Sequence, residues 1–177
     1  MTTDHLLPAL PAIPLFGALL AVIVPSSALW VVLLPVIFGV LGSLIPMFAV
    51  LVSEGPMRSS LGGWGVPLGI DLYVDGTGMV LLAMTAGLMI AITFYSQAYF
   101  GHGRRAQRFW PLFLLVWASL NNLFITGDIF NMYVTLELLG LLSVGLIALA
   151  GTPAAYAAAL RYLLAALCGS LFYLLGV

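Results

Sequence analysis

The sequence predicts an all-α integral membrane protein of about six transmembrane helices in one bundle, and three observations lead there. Hydrophobic residues make up 63% of the 177 residues and charged residues only 6%, against about a quarter charged in ordinary soluble domains. Apolar runs recur along the whole chain at the length a helix needs to cross hydrocarbon, about 20 residues. No internal repeat, heptad array or low-complexity tract divides the chain, so residues 1–177 read as a single transmembrane domain.

The first run, Leu6 to Val24, follows Met1-Thr2-Thr3-Asp4-His5. That start lacks the basic n-region of a cleaved signal peptide, so the run is expected to stay as a span. Pro8, Pro11 and Pro14 near its beginning, and Pro35 and Pro46 in the second run, Ala28 to Val52, are expected to bend the helices. Neighbouring helices in a bundle re-satisfy the freed backbone groups.

Ser53 to Asp75 is the long non-helical stretch, rich in glycine and holding Pro56 and Pro67. Its last residues, Gly69 to Asp75, alternate apolar and polar side chains, which predicts a short extracytoplasmic β-like segment between helices 2 and 3. Four further runs follow: Gly76 to Phe100, Phe109 to Thr126, Ile129 to Ala150 and Ala154 to Val177.

Arginine supplies all five basic residues, Arg58, Arg104, Arg105, Arg108 and Arg161, and there is no lysine. Arg104, Arg105 and Arg108 fall in the short loop after the third run, and short arginine-rich loops stay in the cytoplasm. The expected location is a cell (inner) membrane, with the N-terminus and the Ser53 to Asp75 loop extracytoplasmic. Asp4 agrees with that orientation and Arg58 departs from it.

A net charge of −1 gives no basis for nucleic-acid binding. Cys168 is the single cysteine, which excludes an internal disulfide and any multi-cysteine cluster; it reads as a small buried hydrophobe. His5 and His102 are isolated and have no second ligand at metal spacing. Phosphate loops, dinucleotide fingerprints and zinc motifs are absent, so no cofactor is expected, and no set of acid, base and nucleophile supports an enzyme or quinone site in this chain.

Glu137 is the exception within its run, a carboxylate about 12 Å along the helix from Ile129 and so near mid-membrane. An ionisable group there costs about 2.5–3.5 kcal/mol on insertion scales, which marks it as a proton or cation site. Tyr133 and Gly140, at i−4 and i+3, share its face: a hydroxyl and a gap for a second helix. The alternative is a permanently neutral glutamic acid that only hydrogen-bonds a neighbour. Arg161, eighth residue of the last run, reads either as a snorkelling anchor or as a charge that tunes Glu137.

Asn121, Asn122, Thr126 and Asp128 cluster where the fourth run gives way to the fifth, with Asp128 placed to cap the next helix. A second role for Asp128 at the ion site stays open. Asp71 and Asp75 read as solvent-facing turn and interface residues.

Two stretches carry a resemblance: Gly62-Gly63-Trp64-Gly65-Val66-Pro67-Leu68-Gly69-Ile70 with Asp75, and Thr126-Gly127-Asp128-Ile129-Phe130-Asn131-Met132-Tyr133-Val134-Thr135-Leu136-Glu137. They resemble the proton-translocating antiporter-like subunits shared by respiratory complex I, membrane-bound hydrogenases and Mrp-type cation/proton antiporters. The first of these motifs, with Leu160 to Leu163 and Gly169 to Phe172, looks most like the Mrp D-type subunit.

The resemblance implies that Glu137 is the essential proton-carrying glutamate and that H+, with Na+ or K+, is the cargo. It also implies a setting in a cation/proton antiporter or in a redox-driven translocase of the NADH:quinone oxidoreductase type. In such subunits the glutamate works against membrane lysines, which these 177 residues do not supply. Arg161 stands where the family usually has lysine, and a guanidinium hardly deprotonates.

The expected partners are therefore other membrane subunits, among them a chain that supplies the lysine relay, and the lipid bilayer. The chain resembles only the N-terminal part of a longer subunit and ends in an apolar run, so a truncated or split subunit is expected. A non-conducting assembly subunit is the alternative.

Overall fold

The computed structural model describes residues 6–61, 69–101 and 103–176. Six helices are long and apolar enough to cross a membrane: α1 Leu6–Ile23, α2 Trp30–Glu54, α3 Gly76–Phe100, α4 Arg104–Ile125, α5 Ile129–Ala148 and α6 Pro153–Gly176. The Gly62 to Leu68 part of the first motif, together with His5 and His102, lies outside the described residues.

α1 packs most extensively against α4, with α2 and α3 completing the body. Leu10, Leu33, Val40, Leu82, Trp110, Leu114 and Trp117 are buried between them. At Gly17 an added Cβ would lie 2.4 Å from Val36 Cγ2, so α1 and α2 touch at a distance that a side chain would forbid.

The expected proline bends are absorbed within continuous helices: α1 runs through Pro11 and Pro14, and α2 through Pro35 and Pro46. Pro14 has no N–H for the carbonyl of Leu10, four residues earlier. Asn121 of α4, 1% exposed, donates its Nδ2 to that carbonyl at 3.0 Å. At the other end of α1, Gln107 donates to the carbonyls of Ala21 and Val24, which the end of the helix leaves open.

Between α2 and α3 the expected strand is present, trimmed to β2, Asp71–Val74, and it pairs antiparallel with β1, Met57–Ser60. The strand β1 had no alternation to announce it. Asp71 is not solvent-facing: it is 3% exposed, and Arg58 donates its Nε to both carboxylate oxygens at 3.1 and 2.9 Å. An arginine partner and a folded hairpin make that burial tolerable. The adjacent carboxylate holds Arg58 still more firmly protonated, by hydrogen bond first and charge second. Asp75 caps α3, accepting from the Gly78 amide at 2.8 Å.

The arginine cluster also differs from expectation. Arg104, Arg105 and Arg108 lie in the first turns of α4 and not in a loop, because Gly101, at φ +54°, and Gly103 make the break and arginine is a good helix former. The turn after α5 ends at Gly151, φ +72°, with Thr152 Oγ1 accepting from the Ala155 amide at 3.1 Å and Pro153 at the first helical position.

Candidate functional site

The residues around Glu137 are held by α5, whose two faces do different work. Asp128 caps the helix, its carboxylate accepting from the Phe130 amide at 2.9 Å. Toward α4, Asn122 Nδ2 donates to Thr135 Oγ1 at 2.7 Å, and Thr135 Oγ1 donates to the Asn131 carbonyl at 2.7 Å. Asn131 Nδ2 in turn donates to Thr126 Oγ1 at 2.7 Å, and Thr126 Oγ1 donates to the Asp128 carbonyl.

This ladder joins the end of α4 to the first two turns of α5. The hairpin is tied to the same point: the Gly127 amide donates to the Asp71 carbonyl at 2.8 Å, and Leu72 bridges Thr126. A Cβ at Gly127 would sit 3.0 Å from Asp71 Oδ2 and 3.1 Å from Tyr73 Cβ, so any side chain there would push the strand back by a few tenths of an ångström.

Toward α6, Glu137 is half-buried and Ser170 donates its hydroxyl to Glu137 Oε1. Ser170 Oγ also reaches the Leu167 carbonyl at 3.1 Å, so its single proton has two acceptors. Tyr133 stacks on Tyr173 with ring centroids 6.3 Å apart, and the Tyr173 hydroxyl reaches the Ile129 carbonyl at 3.4 Å. Tyr133, Glu137, Ala166, Gly169, Ser170 and Tyr173 line a half-open groove between the two helices. Gly140 faces α6, where a Cβ would meet Ala166 Cβ at 3.7 Å, an ordinary contact distance.

The structure therefore brings Tyr133, Gly140 and Glu137 to one face and puts Asp128 at the cap. It does not bring Arg161 to them. The contacts of Glu137 with Ser170 and of Gly140 with Ala166 set α5 and α6 antiparallel, which puts Arg161 level with Gly145, about 12 Å along the axis from Glu137. Arg161 is exposed, and among the described residues the ion pair is Arg58 with Asp71. Cys168, expected to be buried, is exposed on the outer side of α6.

Sequence reasoning missed Ser170 as the partner of Glu137. A small hydroxyl residue in an apolar helix is common, and only the α5–α6 register selects it. Among the described residues, no group of three His, Cys, Asp or Glu side chains is placed to hold a metal ion.

Six spans among the described residues, with a capped helix at a hairpin, define a multi-pass membrane protein. No protein-family profile matches the sequence. It is 37% identical to NADH-quinone oxidoreductase subunit N of Desulforudis audaxviator, over 99% of this chain and 36% of that protein. It is 30% identical to the D-type subunit of the Na(+)/H(+) antiporter of Bacillus subtilis, over 93% of this chain and 34% of that protein.

The fold superposes on a chain of the membrane-bound sulfane sulfur reductase, an archaeal respiratory membrane complex, with a TM-score of 0.80 and 28% identity, covering 98% of this chain and 36% of that one. The chain belongs to the antiporter-like membrane subunit family. It spans about a third of the length of the relatives it matches.

Proposed function

We propose that the chain is part of a proton- and cation-translocating membrane subunit in which Glu137 binds and releases the proton. The observation that carries this reading is the Glu137–Ser170 contact inside a half-open groove, which keeps a carboxylate hydrogen-bonded at membrane depth while leaving it reachable. Relatives named as Na(+)/H(+) and K(+)/H(+) antiporter subunits support H+ and Na+ or K+ as the cargo.

Coupling is electrostatic. A cation brought close to the carboxylate favours its ionised form, and withdrawal of that cation favours proton uptake. These 177 residues hold no lysine and Arg161 is remote, so the moving cation lies outside them, on a lysine relay elsewhere in the membrane complex. Tyr133, Tyr173 and Ser170 hold and shield the carboxylate. Arg161 acts on it only at long range, and Asp128 acts by fixing the start of its helix.

Charge distribution supports the orientation. Arg104, Arg105 and Arg108 begin α4 at one end of the bundle, which we assign to the cytoplasm. Glu54, Asp71, Asp75 and Asp128 gather at the hairpin end, which we assign to the outside. Pairing with Asp71 neutralises Arg58, the one arginine that departs from this pattern.

The test is cation-dependent proton exchange in inverted vesicles carrying the assembled complex, wild type against Glu137→Gln. The glutamine keeps the hydrogen bond to Ser170 and removes titration, so exchange falls to the background of vesicles without the subunit while assembly is unchanged. Undiminished exchange with normal assembly supports the second reading, a non-conducting assembly subunit.

A further inference from the structure

The end of the bundle opposite the hairpin carries positive charge with no counter-charge of its own. Arg104, Arg105 and Arg108 are exposed in the first turns of α4, and no carboxylate pairs with them among the described residues. Four of the five described acids lie at the hairpin end, and Glu137 is about 16 Å along α5 from Ala148. α4 also begins at Gly103 without a side-chain cap, so its first amides add to the positive field.

Two cavities flank these arginines and share Arg105 and Leu149 as a common wall. One, about 550 Å³, runs between the end of α3 and the end of α5 over Tyr99, Phe100, Phe109 and Leu146. The other, about 450 Å³, is bounded by Arg104, Arg108, Gly145 and Tyr156. The first is an apolar slot; the second is a basic cup with a tyrosine at its rim. Stacked Tyr95 and Tyr99 with Tyr156 put aromatic rings at the same level, where side chains meet the headgroup region.

We propose that this junction of α3, α4, α5 and α6 binds an anionic phospholipid. Arg104, Arg105 and Arg108 hold its phosphate, and the Phe100–Phe109–Leu149 wall holds the first part of its acyl chain. A soluble phosphate gains nothing from the apolar slot next to the cations. An amphiphile with a negative head uses both. Basic pockets between spans select acidic headgroups in this way, each arginine near the surface contributing roughly a fivefold gain in affinity.

Native mass spectrometry of the full chain, delipidated in detergent and titrated with phosphatidylglycerol or phosphatidylcholine, tests this. Phosphatidylglycerol is expected to bind at least tenfold more tightly than phosphatidylcholine, and Arg105→Gln to weaken it roughly fivefold. The triple glutamine variant of Arg104, Arg105 and Arg108 is expected to lose the preference. Arg105→Lys keeps the charge and most of the binding, and Arg161→Gln changes nothing. Leu149→Trp, which fills the apolar slot without altering charge, is expected to weaken phosphatidylglycerol binding severalfold.

Equal binding of the two lipids, or a preference that survives the triple variant, overturns the proposal. Competition by glycerol phosphate as strong as by phosphatidylglycerol, with Leu149→Trp silent, makes the site one for free phosphate. Displacement of the lipid by an acidic subunit on assembly of the complex makes it a protein interface.

Discussion

The four-helix body and the α5–α6 flank are equally apolar but are held by different means. In α1 to α4 between 33% and 44% of the most hydrophobic window is buried, whereas α5 buries 11% and α6 only 6%. The body is fixed by interlocking side chains around Trp110 and Trp117. The flank is fixed by the Asn122–Thr135–Asn131–Thr126 ladder, by the close approach of Gly145 to Leu112, and by the Glu137–Ser170 contact. Lipid solvates apolar faces as well as protein does, so burial in a bilayer is decided by close packing and polar bonds and not by hydrophobicity. Glu137 sits on the flank, between α5 and α6.

The sharpest way to break this contrast is to add methyl groups to both regions. Gly17→Val drives three extra carbons into the α1–α2 contact, where Val36 is stiff at χ1, and costs about 3 kcal/mol. Gly169→Ala on α6 meets nothing within 4 Å and does not lower stability, since alanine is the better helix former. Thermal melting in detergent reads both: a marked drop for the first, none for the second. A drop at Gly169 of similar size shows the flank to be as tightly packed as the body.

Two asparagines one residue apart refine the contrast. Asn121→Leu leaves the carbonyl of Leu10 without a donor inside the body, an effect of about 2 kcal/mol on melting. Asn122→Ala breaks one rung of the ladder, worth about 0.6 kcal/mol for an interhelical bond in a membrane. The second change loosens α5 on α4, so it is expected to raise hydrogen exchange in the first turns of α5 while α1 and α2 stay protected. Equal exchange in both regions shows that the ladder carries nothing.

The sequence announces the spans because period and length are local properties, and it singles out Glu137 because a charge in an apolar run needs no partner to be noticed. It marks the Asp128 cap for the same reason. The two-faced use of Thr126 to Glu137 is invisible in one dimension, since Thr135 and Glu137 stand two residues apart yet turn to α4 and α6. Ser170 depends on helix register, and the Arg58–Asp71 pair depends on strand pairing across 13 residues. Asp71 reads as a surface residue in the sequence because its loop reads as solvent-facing and its cation is distant along the chain.

That ion pair gives the smallest of the expected effects and the finest probe of how the body steers the flank. Arg58 is 67% exposed while the Asp71 side chain is 4% exposed, so Arg58→Gln leaves a buried carboxylate without its cation and lowers melting, with water at the open arginine side limiting the loss. Asp71→Asn keeps the backbone bond to Gly127, and the double variant recovers part of the loss because no unpaired charge remains. The arginine's affinity for its proton is raised, so its contribution is complete below its ordinary titration range and lost only above it. Between pH 5 and 9 the arginine side of the latch therefore does not titrate, while added salt weakens it over about 8 Å of screening. Exchange at the Gly127 amide is the readout, because that proton sits on the Asp71 carbonyl. Faster exchange in Arg58→Gln ties the hairpin to the start of α5, and unchanged exchange shows that the backbone bond holds α5 without the ion pair.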